Sequence, residues 1–148
     1  MIWVINSNSS ICHIYEYHKK NSQLNLIKEL QHPENKLKKE DFLSDKPGHY
    51  KSNTSTRGAY SQETDPKETK IDSFYREIAK ELDQARCNQN YDELIIIAPP
   101  HLNGLLFQHL DKHVKELVIH NIKKYLLQLP DHELIKFLQI HTHYPTES

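Results

Sequence analysis

Apolar residues near the start of the chain alternate with polar ones in a pattern that predicts strands. Residues 2–5 are a short run of β-branched and aromatic side chains, and a polar Ser-Asn-Ser-Ser turn follows them. Because alternation resumes over residues 11–17, the two runs predict a β-hairpin. Residues 24–30 alternate again and are compatible with a third strand, although the local pattern also allows a helix.

The apolar pattern then stops, and the middle of the chain is polar. Residues 43–70 contain Pro47, Gly48, Gly58 and Pro66 among many Ser, Thr, Asn and Lys residues. This stretch is longer than the roughly 12 to 15 residues of an ordinary loop. It is therefore predicted to be either a functional loop or a disordered segment.

Helical periodicity begins at Ile71. Apolar residues recur there at helical spacing: Phe74, Ile78, Leu82 and Ala85. Charged residues occupy the remaining face, so the pattern predicts an amphipathic helix. Asp72 and Ser73 are the candidates for its N-cap.

The last third of the chain alternates strand and helix patterns. Residues 94–98 (Leu-Ile-Ile-Ile-Ala) have no polar alternation, which predicts a strand buried on both faces of a sheet, and Pro99-Pro100 ends it. The remaining predicted elements are a helix over 102–110, a strand over 114–119 and a helix over 131–140.

The predicted order of elements is β-β-β-α-β-α-β-α, within a single domain over residues 1–148. Hairpin-connected strands come first and βα units follow. This order predicts an α/β fold in which a ribonuclease H-like mixed five-stranded sheet is flanked by helices.

Composition excludes several classes of function. The chain has 19 Lys and Arg against 20 Asp and Glu, and the formal net charge of −1 rules out the strongly cationic character of a typical nucleic-acid binder, although a local basic patch stays open. Only three glycines are present, Gly48, Gly58 and Gly104. Neither glycine-rich phosphate loop, GxGxxG or GxxxxGK[ST], is therefore present, and we expect no cofactor.

The sequence also bears on the compartment. No stretch approaches the roughly 18 apolar residues of a membrane span, and the apolar run over residues 1–6 is too short for a signal peptide and lacks a basic start. Two cysteines, Cys12 and Cys87, are too few for a disulfide framework and suit a reducing environment. We expect a cytoplasmic protein that does not bind membranes.

Several blocks of the sequence resemble the bacterial host-attachment protein family. The blocks are Trp3-Val4-Ile5 with Ile14-Tyr15-Glu16, residues 29–35 running on to Ser44-Asp45-Lys46-Pro47-Gly48-His49, residues 74–79, and residues 94–100 with Gly104. The resemblance extends from Trp3 to Leu138. Its most specific pieces are the Ser-Asp-x-Pro-Gly block and the buried strand that ends in Ala-Pro-Pro.

That family is similar in fold to the middle domain of archaeo-eukaryotic peptide-chain release factors, so the resemblance implies a link to translation. In release factors the loop before the first long helix carries a Gly-Gly-Gln motif that positions the hydrolytic water. The matching stretch here, residues 56–62, has one glycine and a displaced glutamine, Gln62. We therefore expect no peptidyl-tRNA hydrolysis.

Nuclease activity is not expected either. Ribonuclease H enzymes hold two Mg²⁺ ions with several carboxylates, the first of them on the first strand. This chain has Asn6 at the end of that strand, and residues 94–98 contribute no carboxylate. Two further departures from the family pattern are Phe107, where relatives commonly have Arg, and Lys124-Tyr125, where they have Lys-Asp.

The long polar loop is the best functional candidate. Its cations and tyrosines provide phosphate-binding and stacking groups of the kind that contact RNA. The candidate residues in the loop are Asp45, Lys46, Pro47, Gly48, His49, Lys51, Arg57, Gly58 and Gln62, and a strand-end motif adds Ala98, Pro99, Pro100 and Gly104. In the alternative interpretation, residues 44–48 are simply a turn and the rest is a solvated loop.

The 11 histidines raise the question of a metal site. His109 and His113 lie four residues apart, as paired ligands on one helix face would, but Asp111-Lys112 is compatible with a turn that separates them. His141, near the end of the chain, is interpreted as part of a frayed terminus. We expect isolated surface histidines and no metal.

Two hypotheses of function follow. In the first, the protein is a non-catalytic, translation-linked module that binds ribosome or tRNA through the 43–70 loop. In the second, it is a cytoplasmic protein-interaction adaptor that acts indirectly in host-cell attachment and binds another protein. The sequence leaves the oligomeric state and the physiological partner open.

Overall fold

The strands form one mixed sheet in a computed structural model, which describes residues 1–32 and 66–142. The strands are β1 (Ile2–Ser7), β2 (Ile11–His18), β3 (Gln23–Gln31), β4 (Glu93–Ile97) and β5 (Val118–Ile122), in the spatial order β3-β2-β1-β4-β5. Strands β1, β2 and β3 pair antiparallel, whereas β4 pairs parallel with both β1 and β5. The predicted mixed sheet of five strands is confirmed.

Four helices lie in the described residues: α1 (Pro66–Cys87), α2 (Pro100–His109), α3 (Lys112–Lys115) and α4 (Asp131–Thr142). None of these helices has the length and apolar character needed to cross a membrane. Together with the five-stranded sheet, these helices confirm the predicted α/β class with flanking helices.

Helices cover both faces of the sheet and make two hydrophobic cores. On one face, residues of α1 and α2 pack with Leu94, Ile96 and Ala98, and on the other face, residues of α4 pack with Ile95 and Ile97. All five of these residues are fully buried. A strand buried on both faces needs no polar alternation, which is why the pattern in this segment predicted a central strand correctly.

Strand β3 is much less buried than β4. Leu26 and Ile27 leave 49% and 43% of their surface exposed. The register between β2 and β3 shifts here, since Ile14 lies opposite Lys28 while Tyr15 lies opposite Leu26, and Ile27 is the extra residue of a bulge. The third strand is thus confirmed, with an irregular centre.

Two predicted boundaries are wrong. Helix α1 begins at Pro66, so the polar stretch predicted over residues 43–70 ends earlier than expected. Proline suits the first helical position because its missing N–H would have no partner there, and Glu68 favours the same turn through the helix dipole.

The second error concerns the predicted strand over 114–119. Its first part is the short helix α3, in which the Asp111 carboxylate accepts a hydrogen bond of 2.8 Å from the backbone N–H of His113. Val114 is fully buried, but it belongs to this helix and not to a strand. Strand β5 therefore starts at Val118 and continues to Ile122.

Candidate functional site

Strands β1, β4 and β5 are mutually parallel, so their carboxyl ends lie at the same end of the sheet. In open α/β sheets, ligands usually bind at the carboxyl ends of the strands. Asn6 and Ser7 end β1, Ala98 follows β4, and Lys123-Lys124 follow β5. This end of the sheet is therefore the first candidate for a ligand site.

A groove of about 470 Å³ lies between the end of β5 and helix α4. Its lining consists of His120, Asn121, Ile122, Lys123, Lys124, Phe137 and His141. The lining thus combines two lysines, two histidines and a phenylalanine, and among the described residues it includes no carboxylate. The groove is a basic and partly aromatic surface.

The register of the sheet places the β5 residues of the groove. His120 lies opposite Ile95 and Ile122 lies opposite Ile97, and both isoleucines belong to the core under α4. Helix α4 is fixed on this face by two fully buried leucines, Leu134 and Leu138. The buried leucines therefore determine where the helix presents its groove residues.

Phe137 and His141 lie four residues apart on α4 and so share one face of the helix. Their rings stack with a centroid separation of 3.9 Å and an interplanar angle of 18°. His141 Nδ1 is also 3.0 Å from the Phe137 carbonyl oxygen, which accepts a hydrogen bond when this nitrogen carries the proton. The two rings therefore form one stacked aromatic unit.

The two lysines of the groove are exposed and carry charge that no carboxylate of the described residues neutralises. Lys124 Nζ lies 5.8 Å from the centroid of the Phe137 ring, within the range of a cation–π contact. Other lysines and arginines pair with carboxylates away from the groove, as in Lys28–Glu81, Arg76–Asp72 and Arg86–Asp83. Within residues 1–32 and 66–142, Lys123 and Lys124 therefore have no carboxylate partner.

An amide pair ties the groove to helix α2. Asn103 Nδ2 donates to Asn121 Oδ1 at 2.6 Å, and Asn121 Nδ2 donates back to Asn103 Oδ1 at 3.1 Å. Asn103 is only 1% exposed, so this reciprocal pair satisfies an otherwise buried amide. The pair holds the end of β5 against the first turn of α2.

Asn6 occupies the end of β1 as a neutral amide. It is 1% exposed, and its Nδ2 donates to the Leu126 carbonyl oxygen at 3.3 Å. Its Oδ1 has no hydrogen-bond partner in the described part of the chain. A ribonuclease H site would need a carboxylate at the position this amide occupies.

A chain of polar groups links β3, β2 and α4 on the same face of the sheet. The Tyr15 hydroxyl lies 3.4 Å from both Asp131 Oδ1 and His13 Nδ1, and His13 Nε2 lies 3.6 Å from the Glu29 carboxylate. Burial, reinforced by the negative charge of Asp131, raises the pKa of Tyr15 to about 12. Tyr15 is therefore a protonated hydrogen-bond donor at neutral pH.

The loop residues predicted as a site, from Asp45 to Gln62, lie outside the described residues, so their assignment stays a prediction. In the strand-end motif, the Ala98 N–H donates to the Ile122 carbonyl oxygen at 3.1 Å, which joins this motif to the groove wall. Pro99 precedes α2 and Pro100 is its first residue. A Cβ added at Gly104 would meet nothing within 4 Å, so packing does not require glycine there.

The two histidines considered as paired metal ligands contact different carboxylates. His109 Nε2 lies 2.8 Å from Asp72, and His113 Nδ1 lies 3.0 Å from Asp111. The described residues include no group of three or more His, Cys, Asp or Glu side chains placed to hold a metal ion.

Sequence reasoning missed most of the groove. His141 is part of α4, which continues to Thr142, so its interpretation as part of a frayed end is wrong. Lys123 and Phe137 were not candidates at all. Two signals were present, a pair of adjacent lysines and an aromatic pair at i, i+4, but only the sheet topology brings them together.

A protein-family model described as "Protein required for attachment to host cells" matches residues 3–138 of this chain. No curated protein matches the sequence significantly. Because the family match covers most of the 148 residues, the chain belongs to the family of proteins required for attachment to host cells.

Proposed function

We propose that this host-attachment protein is a non-catalytic RNA-binding module linked to translation, with ribosome or tRNA as its partner. It would work in the cytoplasm, where those partners are. The observation that carries the proposal is the groove beside β5, in which Lys123 and Lys124 lie with His120 and His141 and no described carboxylate. The 43–70 loop would be a second contact surface.

The charge of the groove supports an anionic ligand. Protein–RNA affinity depends strongly on lysine and arginine side chains that contact phosphates and release counterions. The formal net charge of the chain is −1, so a basic groove stands out against a nearly neutral surface. Local charge of this kind orients an RNA partner without making the whole protein cationic.

The polar groups at the strand ends support a role without catalysis. Asn6 is a neutral amide where a metal-dependent nuclease needs a carboxylate, and the raised pKa of Tyr15 makes its hydroxyl harder to ionise than that of an ordinary tyrosine. Burial also raises the pKa of the Cys12 thiol, which suits a core residue better than a nucleophile.

The topology supports the relation to release factors that the sequence suggested. An antiparallel β1-β2-β3 meander, followed by β4 and β5 parallel to β1, is the arrangement expected of a ribonuclease H-like sheet. We infer a ribonuclease H-like fold related to the release-factor middle domain. Likeness of fold is only supporting evidence for function.

The test is binding of labelled tRNA and of ribosomes to the Lys123→Ala/Lys124→Ala variant. We expect its affinity for tRNA to fall about tenfold or more and the slope of log K against log salt to become shallower by about one to two. The matched control is Lys19→Ala/Lys20→Ala, which removes the same dipeptide from the turn after β2, at the opposite end of the sheet.

If the control variant lost as much affinity as the groove variant, binding would reflect overall charge and the groove would have no special role. If the wild-type protein bound neither tRNA nor ribosomes at low salt, the translation-linked proposal would be wrong.

One observation favours the second candidate, a protein-interaction adaptor. Leu26 and Ile27 lie exposed on the edge strand β3, where a protein partner would bury them. The two candidates separate in an attachment assay with complemented cells. The adaptor predicts that Leu26→Asn/Ile27→Thr abolishes attachment while Lys123→Ala/Lys124→Ala preserves it, and the RNA-binding proposal predicts the reverse.

A further inference from the structure

The size of the β5–α4 groove limits what part of an RNA it accepts. Its volume of about 470 Å³ lies in the range of small-molecule sites, which is the scale of one nucleotide. A duplex presents a broad, shallow minor groove and phosphate rows to a protein, and it keeps its bases stacked inside. A concave site of this size therefore suits an unpaired base that lies outside an RNA duplex.

The aromatic unit of the groove offers a surface for such a base. The Phe137 and His141 rings are nearly parallel, and His141 lies on the exposed side of α4. Aromatic rings that accept bases by stacking act without base-specific hydrogen bonds, because every base has a π-face. The ring pair is already aligned, so little side-chain freedom remains to be lost on binding.

The two lysines stand beside this aromatic surface. Lys124 contacts the Phe137 ring, and Lys123 precedes it at the end of β5. A nucleotide within an RNA strand has one phosphate on each side of its sugar. Both lysines line the groove beside the stacking surface, so each is placed to contact one of these phosphates.

Resting on the function proposed above, we infer that the groove binds one unpaired nucleotide of an RNA. Its base stacks on the Phe137–His141 pair and its flanking phosphates contact Lys123 and Lys124. The preferred partner is single-stranded or looped RNA, and the aromatic pair discriminates it from duplex RNA.

The experiment measures binding of a short labelled RNA, once as a single strand and once annealed to its complement. We expect the wild-type protein to prefer the single strand. Phe137→Leu should weaken single-strand binding about fivefold or more, because the stacked aromatic pair on which the base packs is lost, and should leave duplex binding unchanged. The matched control is Phe107→Leu, a half-buried helical phenylalanine outside the groove.

His141→Ala provides a second variant that avoids the core, because this side chain is exposed. It should reduce the preference for single strands in the same direction, whether or not Phe137→Leu folds. A Phe137→Trp variant reports stacking directly, since its fluorescence should be quenched by the single strand and not by the duplex. A free nucleoside monophosphate should bind far more weakly than the strand.

The outcomes separate this inference from the function on which it rests. If the lysine variant loses affinity but neither aromatic variant changes the preference for single strands, the unpaired-nucleotide inference is wrong while RNA binding stands. If a free nucleotide binds as well as the strand, the site is a small-molecule site and the inference is also wrong. If the lysine variant loses nothing, both proposals fail.

Discussion

The two edge strands of the sheet differ in cover, length and chemistry. Strand β5 has five residues, pairs parallel with β4, and lies between α2 and α4, with lysines following its end. Strand β3 has nine residues, pairs antiparallel with β2, and exposes Leu26 and Ile27. Its described tie to α1 is the exposed ion pair between Lys28 and Glu81.

Because of this difference, the β5 edge is suited to binding a ligand, whereas the β3 edge is protected against pairing with another chain. A long exposed edge strand invites pairing with another chain, and a bulge or a charged residue on the edge opposes that pairing. Strand β3 has both features, the bulge at Ile27 and the adjacent Lys28. At the β5 edge, two lysines that have no carboxylate partner among the described residues line a groove, which makes this edge the better candidate for a ligand.

The largest contrast is expected for matched leucine truncations near the two edges. Leu138→Ala removes a fully buried side chain under α4 and should lower the free energy of unfolding by about 2–5 kcal/mol. Leu26→Ala removes a side chain that is 49% exposed and should cost about 0.5 kcal/mol or less. Urea denaturation measures both costs. Equal costs would mean that the side chains of β3 are buried as deeply as those packed under α4.

A smaller difference in unfolding free energy is expected for the polar contacts that connect the two edge strands to helices. Asn103→Ala breaks the reciprocal amide pair to β5 and should cost about 1–2 kcal/mol of unfolding free energy, because a buried hydrogen-bonded amide is lost. Lys28→Ala breaks the exposed ion pair to α1 and should cost about 0–1 kcal/mol. A larger loss for Lys28→Ala, again by urea denaturation, would contradict this ranking.

The last contrast depends on pH and concerns Tyr15, which lies between the edges: it faces Leu26 of β3, and its hydroxyl approaches Asp131 of α4. The folded state raises the pKa of Tyr15 from 10.0 to about 12, so the unfolded chain loses this proton first as pH rises. The stabilisation is therefore complete below pH 10 and declines toward pH 12.

Tyr15→Phe should consequently make the alkaline decline of the unfolding free energy shallower than in the wild-type protein. Denaturant titrations across that pH range measure the slope. Tyr91→Phe, whose hydroxyl donates to the Leu82 carbonyl oxygen under the opposite face, tests whether the effect is general to buried tyrosines. An unchanged slope for Tyr15→Phe would contradict the burial of this hydroxyl beside Asp131.

The fold was largely predictable from local patterns. The unbroken apolar run of β4 and the helical spacing of Phe74, Ile78 and Leu82 reflect burial that acts within a few residues. The errors arose where two local signals conflict. Pro66 was interpreted as a loop residue although proline also starts helices, and buried Val114 was interpreted as part of a strand although a capped helical turn holds it.

The groove was not predictable in the same way. Lys123 and Lys124 are separated from Phe137 and His141 by more than ten residues, and the arrangement depends on where α4 crosses the sheet. That crossing is determined by the burial of Leu134 and Leu138, a tertiary effect that no local spacing records. The Lys124-Tyr125 pair singled out in the sequence does include one residue of the groove, Lys124.

The most direct test of the account is a backbone amide NMR titration of the intact protein with a short single-stranded RNA. It predicts that chemical shifts change over His120–Lys124 and around Phe137 and His141, and that β3 from Gln23 to Gln31 stays unchanged. Shift changes confined to β3, or an absence of change at the groove when RNA is bound, would contradict it.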